Sequence, residues 1–390
     1  MLRSLYSGIS GLRSHQTMLD VTGNNIANVN TTAFKASATQ FQDTLSQMTQ
    51  AAGGPQATIG GTNPAQIGLG VRVAGISTNF AQGSAQSTGR ATDLMISGDG
   101  FFVTKLGVQN LYTRAGSFDF DGSGRLVTPD GSIVQGWTAT NGVINSGGPV
   151  SDIVLPLGVV APAVATTAAT VAGNLPQDAA VGTALMRDVQ AYDGTGTARA
   201  VTLTYTRTAA GWDVAGVDPN GSTGTGSLTF ASGVLTSGGS LAVGGITVDM
   251  TKLTGYAGLT SVSIANQNGR SAGALQSYTL SKDGTLVGSF SNGASQAIGR
   301  VVLATFVNPG GLEKAGSSSY RTTFNSGAAQ VGAPGTGSIG SIMSGALEMS
   351  NVDLSQEFTN LIVAQRGFQA NARIITTSDE VLQELTNLKR

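Results

Sequence analysis

The two ends of the chain carry the same periodic signal. Near the start, Leu2, Leu5, Ile9, Leu12, Leu19 and Ile26 follow steps of three and four and then two full heptads, with Gln16 and Gly23 in the gaps. Near the end, Leu354, Phe358, Leu361, Phe368, Ala372, Ile375 and Leu382 repeat the pattern, with Gln365 and Asp379 in the gaps. A period of 3.5 residues is a coiled-coil seam, so both ends are expected to be amphipathic helices. Such helices either pack on their own chain's core, as most do, or pair with other chains. One seam buries too little apolar surface to offset the ordering of about thirty residues. More surface must be covered, on this chain or on neighbours, and Ser4, Gly8 and Gly11 leave narrow faces where a second helix can approach closely. The expectation is that the ends fold when several chains assemble.

A polar tract follows the first seam, with Asn24, Asn25, Asn28 and Asn30 before Phe34 and Lys35. Asparagine side chains bond nearby backbone and turn helices into loops. A helix exit and a polar contact ring in an assembly suit the spacing equally. Residues 53–89 then carry one charge, Arg72, and read as a linker or extended arm. Beyond them the period becomes two. Leu94-Met95-Ile96 and Phe101-Phe102-Val103 are expected to form two strands about a turn at Gly98-Asp99-Gly100. Strand patterns continue through Tyr112–Phe120, Ile133–Trp137, Arg199–Tyr205, 211–214, 227–230, 278–287 and 300–307. Residues 157–172 are a plausible crossing to a second β domain. The order of helix, linker, β, β, β, linker, helix suggests a chain that goes out and comes back.

Composition removes whole classes of function. A net charge of −1 argues against nucleic acid and anionic membrane as partners. Without cysteine there is no disulfide, thiolate metal site or thiol nucleophile. One histidine, His15, excludes His-rich metal sites and most histidine-based acid–base chemistry. No apolar run is long enough to span a membrane. The start lacks the apolar stretch of a cleaved secretory signal.

The chemical motifs are weak. Asp119, Asp121, Ser123, Gly124 and Asp130 imitate the spacing of a calcium loop, but the flanks are strands and a hairpin turn of Asp and Gly is the expectation. Trp137 and Trp212 suit a carbohydrate surface less well than a β core. Glutamates are confined almost wholly to the chain's last part, and no carboxylate pair stands out for glycosidic chemistry. Gly68-Leu69-Gly70 is not completed to a dinucleotide fingerprint. No enzyme, cofactor or metal is expected.

Ser4-Leu-Tyr-Ser-Gly-Ile-Ser-Gly-Leu12, running into Gly23-Asn-Asn-Ile-Ala-Asn-Val-Asn-Thr-Thr-Ala-Phe-Lys35, resembles the N-terminal motif of the bacterial flagellar rod and hook proteins. Asn351-Val-Asp-Leu-Ser355 and Ile362-Val-Ala-Gln-Arg-Gly-Phe-Gln-Ala-Asn371, which hold Gln365, Arg366 and Asn371, match that family's other end. Gly98–Val103 and Tyr112–Phe118 look like its shared β domain. Tyr192–Thr197, Thr202–Thr206, Gly211–Val214 and Ser281–Gly293 resemble the hook members, with an insertion that shorter distal rod proteins lack. Two residues depart from the pattern: Ala33 stands where glycine is usual, and Phe368 where tyrosine is common.

The resemblance implies a multidomain, mainly β fold with terminal helices in a nested arrangement. Residues 1–34 and 350–390 would form the helical inner tube, 35–89 the arm, 90–157 and 281–349 an inner β domain, and 158–280 an outer one. It implies a hook subunit that polymerises into a flexible helical tube. It would leave the cell by the flagellar type III export apparatus, without membrane insertion. Its partners would be copies of itself, the hook cap, the distal rod protein and the hook–filament junction proteins. Alternatives are a distal rod protein and a secreted β-rich adhesin or carbohydrate-binding protein.

Overall fold

A computed structural model describes residues 2–55, 60–140, 142–155 and 160–387. Two helices, α1 (Leu2–Ala27) and α2 (Leu354–Asn387), bracket a chain of strands. It divides into two compact units. The first comprises 1–155, 279–287 and 297–390, and the second 156–278 with 288–296. The expected boundary at 157/158 lies outside the described residues.

In the first unit, strand Phe101–Leu106 turns at Gly107 and pairs with Gln109–Thr113, in register Val103↔Tyr112. Gln109–Thr113 pairs in turn with Ser319–Arg321. On its other side Phe101–Leu106 meets Ile133–Thr140 and Leu303–Thr305. The core between them is aromatic. Phe101 sits 5.5 Å from Phe80 and 5.7 Å from Phe306, and Tyr112 sits 4.9 Å from Phe306, all edge to face. Trp137 is buried there and its Nε1 donates to the Gly148 carbonyl at 2.9 Å, so it is a core residue.

The expected turn between Leu94–Ile96 and Phe101–Val103 does not make a hairpin. Strand Leu94–Ser97 pairs instead with Ser341–Ser344, in register Ile96↔Ile342. Gly98 and Gly100 both take positive φ and lead the chain away. Gly116 lies so close to the Leu94 backbone that a Cβ there would overlap the Leu94 carbonyl, so only glycine fits.

The expected linker is a paired ribbon. Ser37–Asp43 runs antiparallel to Val71–Thr78, and Ser46–Gln50 to Ala65–Gly68. Sequence alternation is absent because both faces of its outer part are open. Leu45, Met48 and Ile67 are all exposed.

The second unit is a sheet of successive antiparallel strands from Ala184–Tyr192 to Thr223–Ala231. One parallel pair, Ala168–Asn174 with Ile246–Thr254, completes it toward Ser263–Gln267. Val201, Leu203 and Tyr205 are fully buried while Thr202, Thr204 and Thr206 between them are not, the period-two pattern of a half-buried strand. Trp212 is buried in the same core. The strands at the two ends of this unit pair with each other, Val160↔Ala274 and Ala161↔Gly273.

Candidate assembly surface

The two terminal helices pack on each other. A Cβ at Gly8 would meet Ile374 and Ile375 at 3.5 Å, one at Gly11 would meet the Asn371 side chain at 2.6 Å, and one at Gly367 would meet the His15 ring at 2.5 Å. Rising numbers on α1 meet falling numbers on α2, so the pair is antiparallel. The narrow face read at Gly8 and Gly11 is therefore a close approach, and the helix that fills it belongs to the same chain. His15 lies between Gly367 and Phe41, whose ring is 5.6 Å away.

The seam residues divide. On α1 the buried positions are Gly8, Gly11, Ser14, Thr22 and Asn25, while Leu5, Ile9, Leu12, Leu19 and Ile26 are only half-buried. The Leu2 side chain lies outside the described residues. On α2, Leu361, Phe368, Ala372, Ile375 and Leu382 are half-buried and Ala364 fully so. Leu354 and Phe358 are 39% and 50% exposed. Ile362 is exposed as well and continues their i, i+4 row, so α2 keeps an apolar stripe at 354, 358 and 362 that α1 does not cover, while Val363, Val381 and Leu385 are exposed on another side and Ile374, partly exposed, still meets Gly8.

The asparagine tract is a helix exit. The Asn28 side chain donates to the Asn24 carbonyl and closes α1. Asn25 is buried, and its amide both donates to the Ser37 carbonyl at 2.8 Å and accepts from the Ser37 N–H at 3.0 Å. That pair of bonds imitates a neighbouring strand and ties the arm to the helix. Asn24 and Asn30 are exposed. Phe34 lies under the Lys314 ammonium at 5.4 Å. On α2, Gln365 and Arg366 are exposed, and Asn371 donates to the Gly367 carbonyl beside the glycines of α1. Asp353, just before α2, accepts from the Ser355 and Gln356 N–H groups as an N-cap.

One buried carboxylate joins the segments that flank the helices. Glu348 takes Lys35 Nζ at 2.6 Å, Arg114 Nε at 2.9 Å and the Gly83 N–H at 2.9 Å. Lys35 also donates to the Ala81 carbonyl, and Arg114 to that of Gly98. The three side chains are 0%, 0% and 3% exposed for Lys35, Glu348 and Arg114. Burial pushes the Glu348 carboxyl up, but Arg114, Lys35 and the Gly83 N–H together outweigh it and hold the group below its ordinary value. Asn351 adds a second tie, accepting from the Ala36 N–H and donating to the Asn79 and Ala81 carbonyls. Ala33, the residue in the usual glycine position, keeps the turn: it takes φ +56° while its N–H donates to the Glu348 carbonyl. No local pattern announces this knot, because Glu348 lies 313, 265 and 234 residues from Lys35, Gly83 and Arg114.

The calcium-like loop is a turn whose carboxylates are engaged. Asp121 accepts from the Ser123 and Arg125 N–H groups and pairs with the Arg125 guanidinium, and Asp119 pairs with Arg90. Asp130 bonds Thr128 and Ser132. Among the described residues no three His, Asp or Glu side chains are grouped to hold a metal ion, and no helix is long and apolar enough to cross a membrane. The arrangement locks chain segments together and leaves apolar surface open; it has the chemistry of a contact surface.

Known proteins of this architecture bear on what that surface meets. The flagellar hook protein FlgE of Borreliella burgdorferi is 39% identical, and the alignment covers 100% of both chains. The chain belongs to the flagellar rod and hook protein family. Three family models match it: "Flagella basal body rod protein" over residues 5–35, "Flagellar hook protein FlgE/F/G D1 domain" over 95–172, and "Flagellar basal body rod FlgEFG protein C-terminal" over 343–388. Among its rod and hook relatives, FlgE of Treponema pallidum is 37% identical over all of both chains. The basal-body rod protein FlgG of Bacillus subtilis is 36% identical, again over all of both. A relative named as a rod protein thus spans the whole chain, so the insertion alone does not separate hook from rod. The crystal structure of Helicobacter pylori hook protein FlgE2 shares the fold, with a TM-score of 0.51 at 15% identity over 68% of this chain and 100% of that one.

Proposed function

We propose that this chain is the structural subunit of the bacterial flagellar hook, self-assembling into a flexible helical tube that acts as a universal joint between basal body and filament. The observation that carries the reading is end-to-end alignment with relatives named hook proteins, at 39% and 37% identity. The open apolar stripe on α2 supports it, since a stripe of that length invites a neighbour. The large apolar residues of the two seams, all of those named except Ala372, then contribute to the polymer interface, the half-buried ones by widening the surface and Leu354 and Phe358 directly. By family likeness its other partners are the type III export apparatus, the hook cap, the distal rod protein and the junction proteins. The role is mechanical rather than enzymatic, and its place is outside the cell.

A rod subunit is the second reading, favoured by the full-length match to the Bacillus subtilis protein. Electron microscopy of the concentrated chain tests both. Curved, bendable tubes support the hook, and straight rigid ones support the rod. Phe358→Asp and Ile362→Asp are expected to abolish tubes while leaving the monomer's circular dichroism unchanged, because both side chains are half-exposed in the single chain. Normal tubes from both variants would overturn the assignment of that stripe.

A further inference from the structure

A lysine without a carboxylate stands beside a cavity in the first unit. The cavity, of about 280 Å³, lies between the exit of α1 and the hairpin formed by Glu313–Gly316 and Ser319–Arg321. Phe34 and Tyr320 give it apolar walls, and Asn24, Asn28 and Thr31 close one side. The Lys314 ammonium lies 5.4 Å above the Phe34 ring and donates to Ser37 Oγ at 2.9 Å. Among the described residues that is its one hydrogen bond, so two of its three N–H donors remain. Glu313, its neighbour in sequence, is committed to Arg321 at 2.6 Å. Among the described residues no aspartate or glutamate lines the cavity. Partial burial holds the Lys314 ammonium below its ordinary value, with no acidic neighbour to offset it. The hairpin turn adds a hydroxyl. Ser317 and Ser318 take φ of +50° and +55°, where glycine or asparagine would sit with less strain. Ser318 Oγ holds the turn by donating to the Thr32 carbonyl. Ser317 lines the cavity, and its hydroxyl has no partner among the described residues.

A cation with spare donors selects a negative group, because a charge-assisted hydrogen bond is about twice as strong as a neutral one. Aromatic walls select a flat apolar body over a bare inorganic ion. The volume is near the lower limit for small-molecule sites, room for a single ring and not for a length of chain. We propose that this cavity is a binding site for a small aromatic carboxylate, whose carboxylate meets Lys314 and whose ring lies against Phe34 and Tyr320. The inference concerns the subunit itself and does not rest on the polymer reading.

Equilibrium dialysis of radiolabelled benzoate against the concentrated full-length chain tests it. Concentrated chain is used because Asn24 belongs to α1, whose packing is expected to be firmest where chains meet. One benzoate per chain is expected, with a Kd of about 0.1–1 mM for a ligand of about nine non-hydrogen atoms. Benzamide keeps the ring without the charge, and inorganic phosphate keeps charge without a ring; each should bind at least about tenfold more weakly. Lys314→Met should weaken benzoate about tenfold or more, with unchanged circular dichroism. Benzoate that binds no better than benzamide or phosphate, or equally well to Lys314→Met, overturns the proposal, as does benzoate that does not bind at all. The benzamide and phosphate comparisons use the wild-type chain and stand whatever the variant does to folding.

Discussion

Glu348→Ala is the sharpest test of how the first unit is held together. The substitution leaves Lys35 and Arg114 buried and charged, with only the Ala81 and Gly98 carbonyls to bond them, and deprives the Gly83 N–H of its acceptor. Removing one member of a buried ion pair costs about 3–5 kcal/mol, because the partner's charge stays in a poor solvent. Two cations are stranded here, so the upper half of that range is expected. The two tryptophans make the effect local. Trp137 lies in the first unit and Trp212 in the second, so Trp212→Phe and Trp137→Phe backgrounds report one unit each. With a urea slope of about 2–3 kcal/mol per molar, the Trp137 signal should shift its midpoint down by about 1.3–2.5 M, and the Trp212 signal should hardly move. The pH dependence adds a second check. A carboxyl whose folded pKa lies below its unfolded one stabilises the fold fully above the unfolded value, 4.5 for Glu348, and the contribution fades as pH falls through the folded value. The gap between wild type and Glu348→Ala should therefore be widest above pH 5 and narrow in acid. A loss under about 1 kcal/mol at neutral pH, as for a solvated surface pair, would refute the argument that the knot is a dry one.

Other tests address the helices, the arm and the loop. Gly8→Ala should be tolerated or raise helix stability by up to about 1 kcal/mol, since its Cβ finds ordinary contacts, whereas Gly367→Ala should loosen the helix pair by displacing the His15 ring; ellipticity at 222 nm during heating of the assembled chain separates them. Limited proteolysis of the dilute monomer, read by mass spectrometry, should remove the terminal helices and nick the exposed ribbon near Leu45 and Met48 before either β core; ends as resistant as the cores would contradict folding on assembly. Calcium should leave the thermal midpoint unchanged, because the Asp121 carboxylate is already bonded to Ser123 and Arg125, while Asp121→Ala should lower it.

Local rules carried the reading a long way. Heptad spacing is visible in sequence, and both terminal helices stand where it put them. Alternation marked the strands around Val201–Tyr205, and the tryptophans are core residues, as strand tryptophans usually are. What stayed hidden is what depends on distance along the chain. Leu94–Ser97 looked like half a hairpin because its true partner, Ser341–Ser344, lies more than 240 residues away. The ribbon read as a linker because a strand open on both faces has no alternation to show. The face by which α1 meets α2 was only half legible: Gly8 and Gly11 announced a close approach, but the leucines and isoleucines drew attention to a different side. Lys314 is one basic residue among twenty-one until its surroundings are known.

The strand pairing at the ends of the second unit has a consequence for variation. Val160–Ala161 and Ala274–Gly273 lie side by side, at the spacing of about 4.8 Å between neighbouring strands. To the rest of the chain, everything from 162 to 272 is therefore one long loop closed at its base. That stretch can be lengthened, shortened or exchanged as a cassette while the helices and the Glu348 knot keep their own geometry.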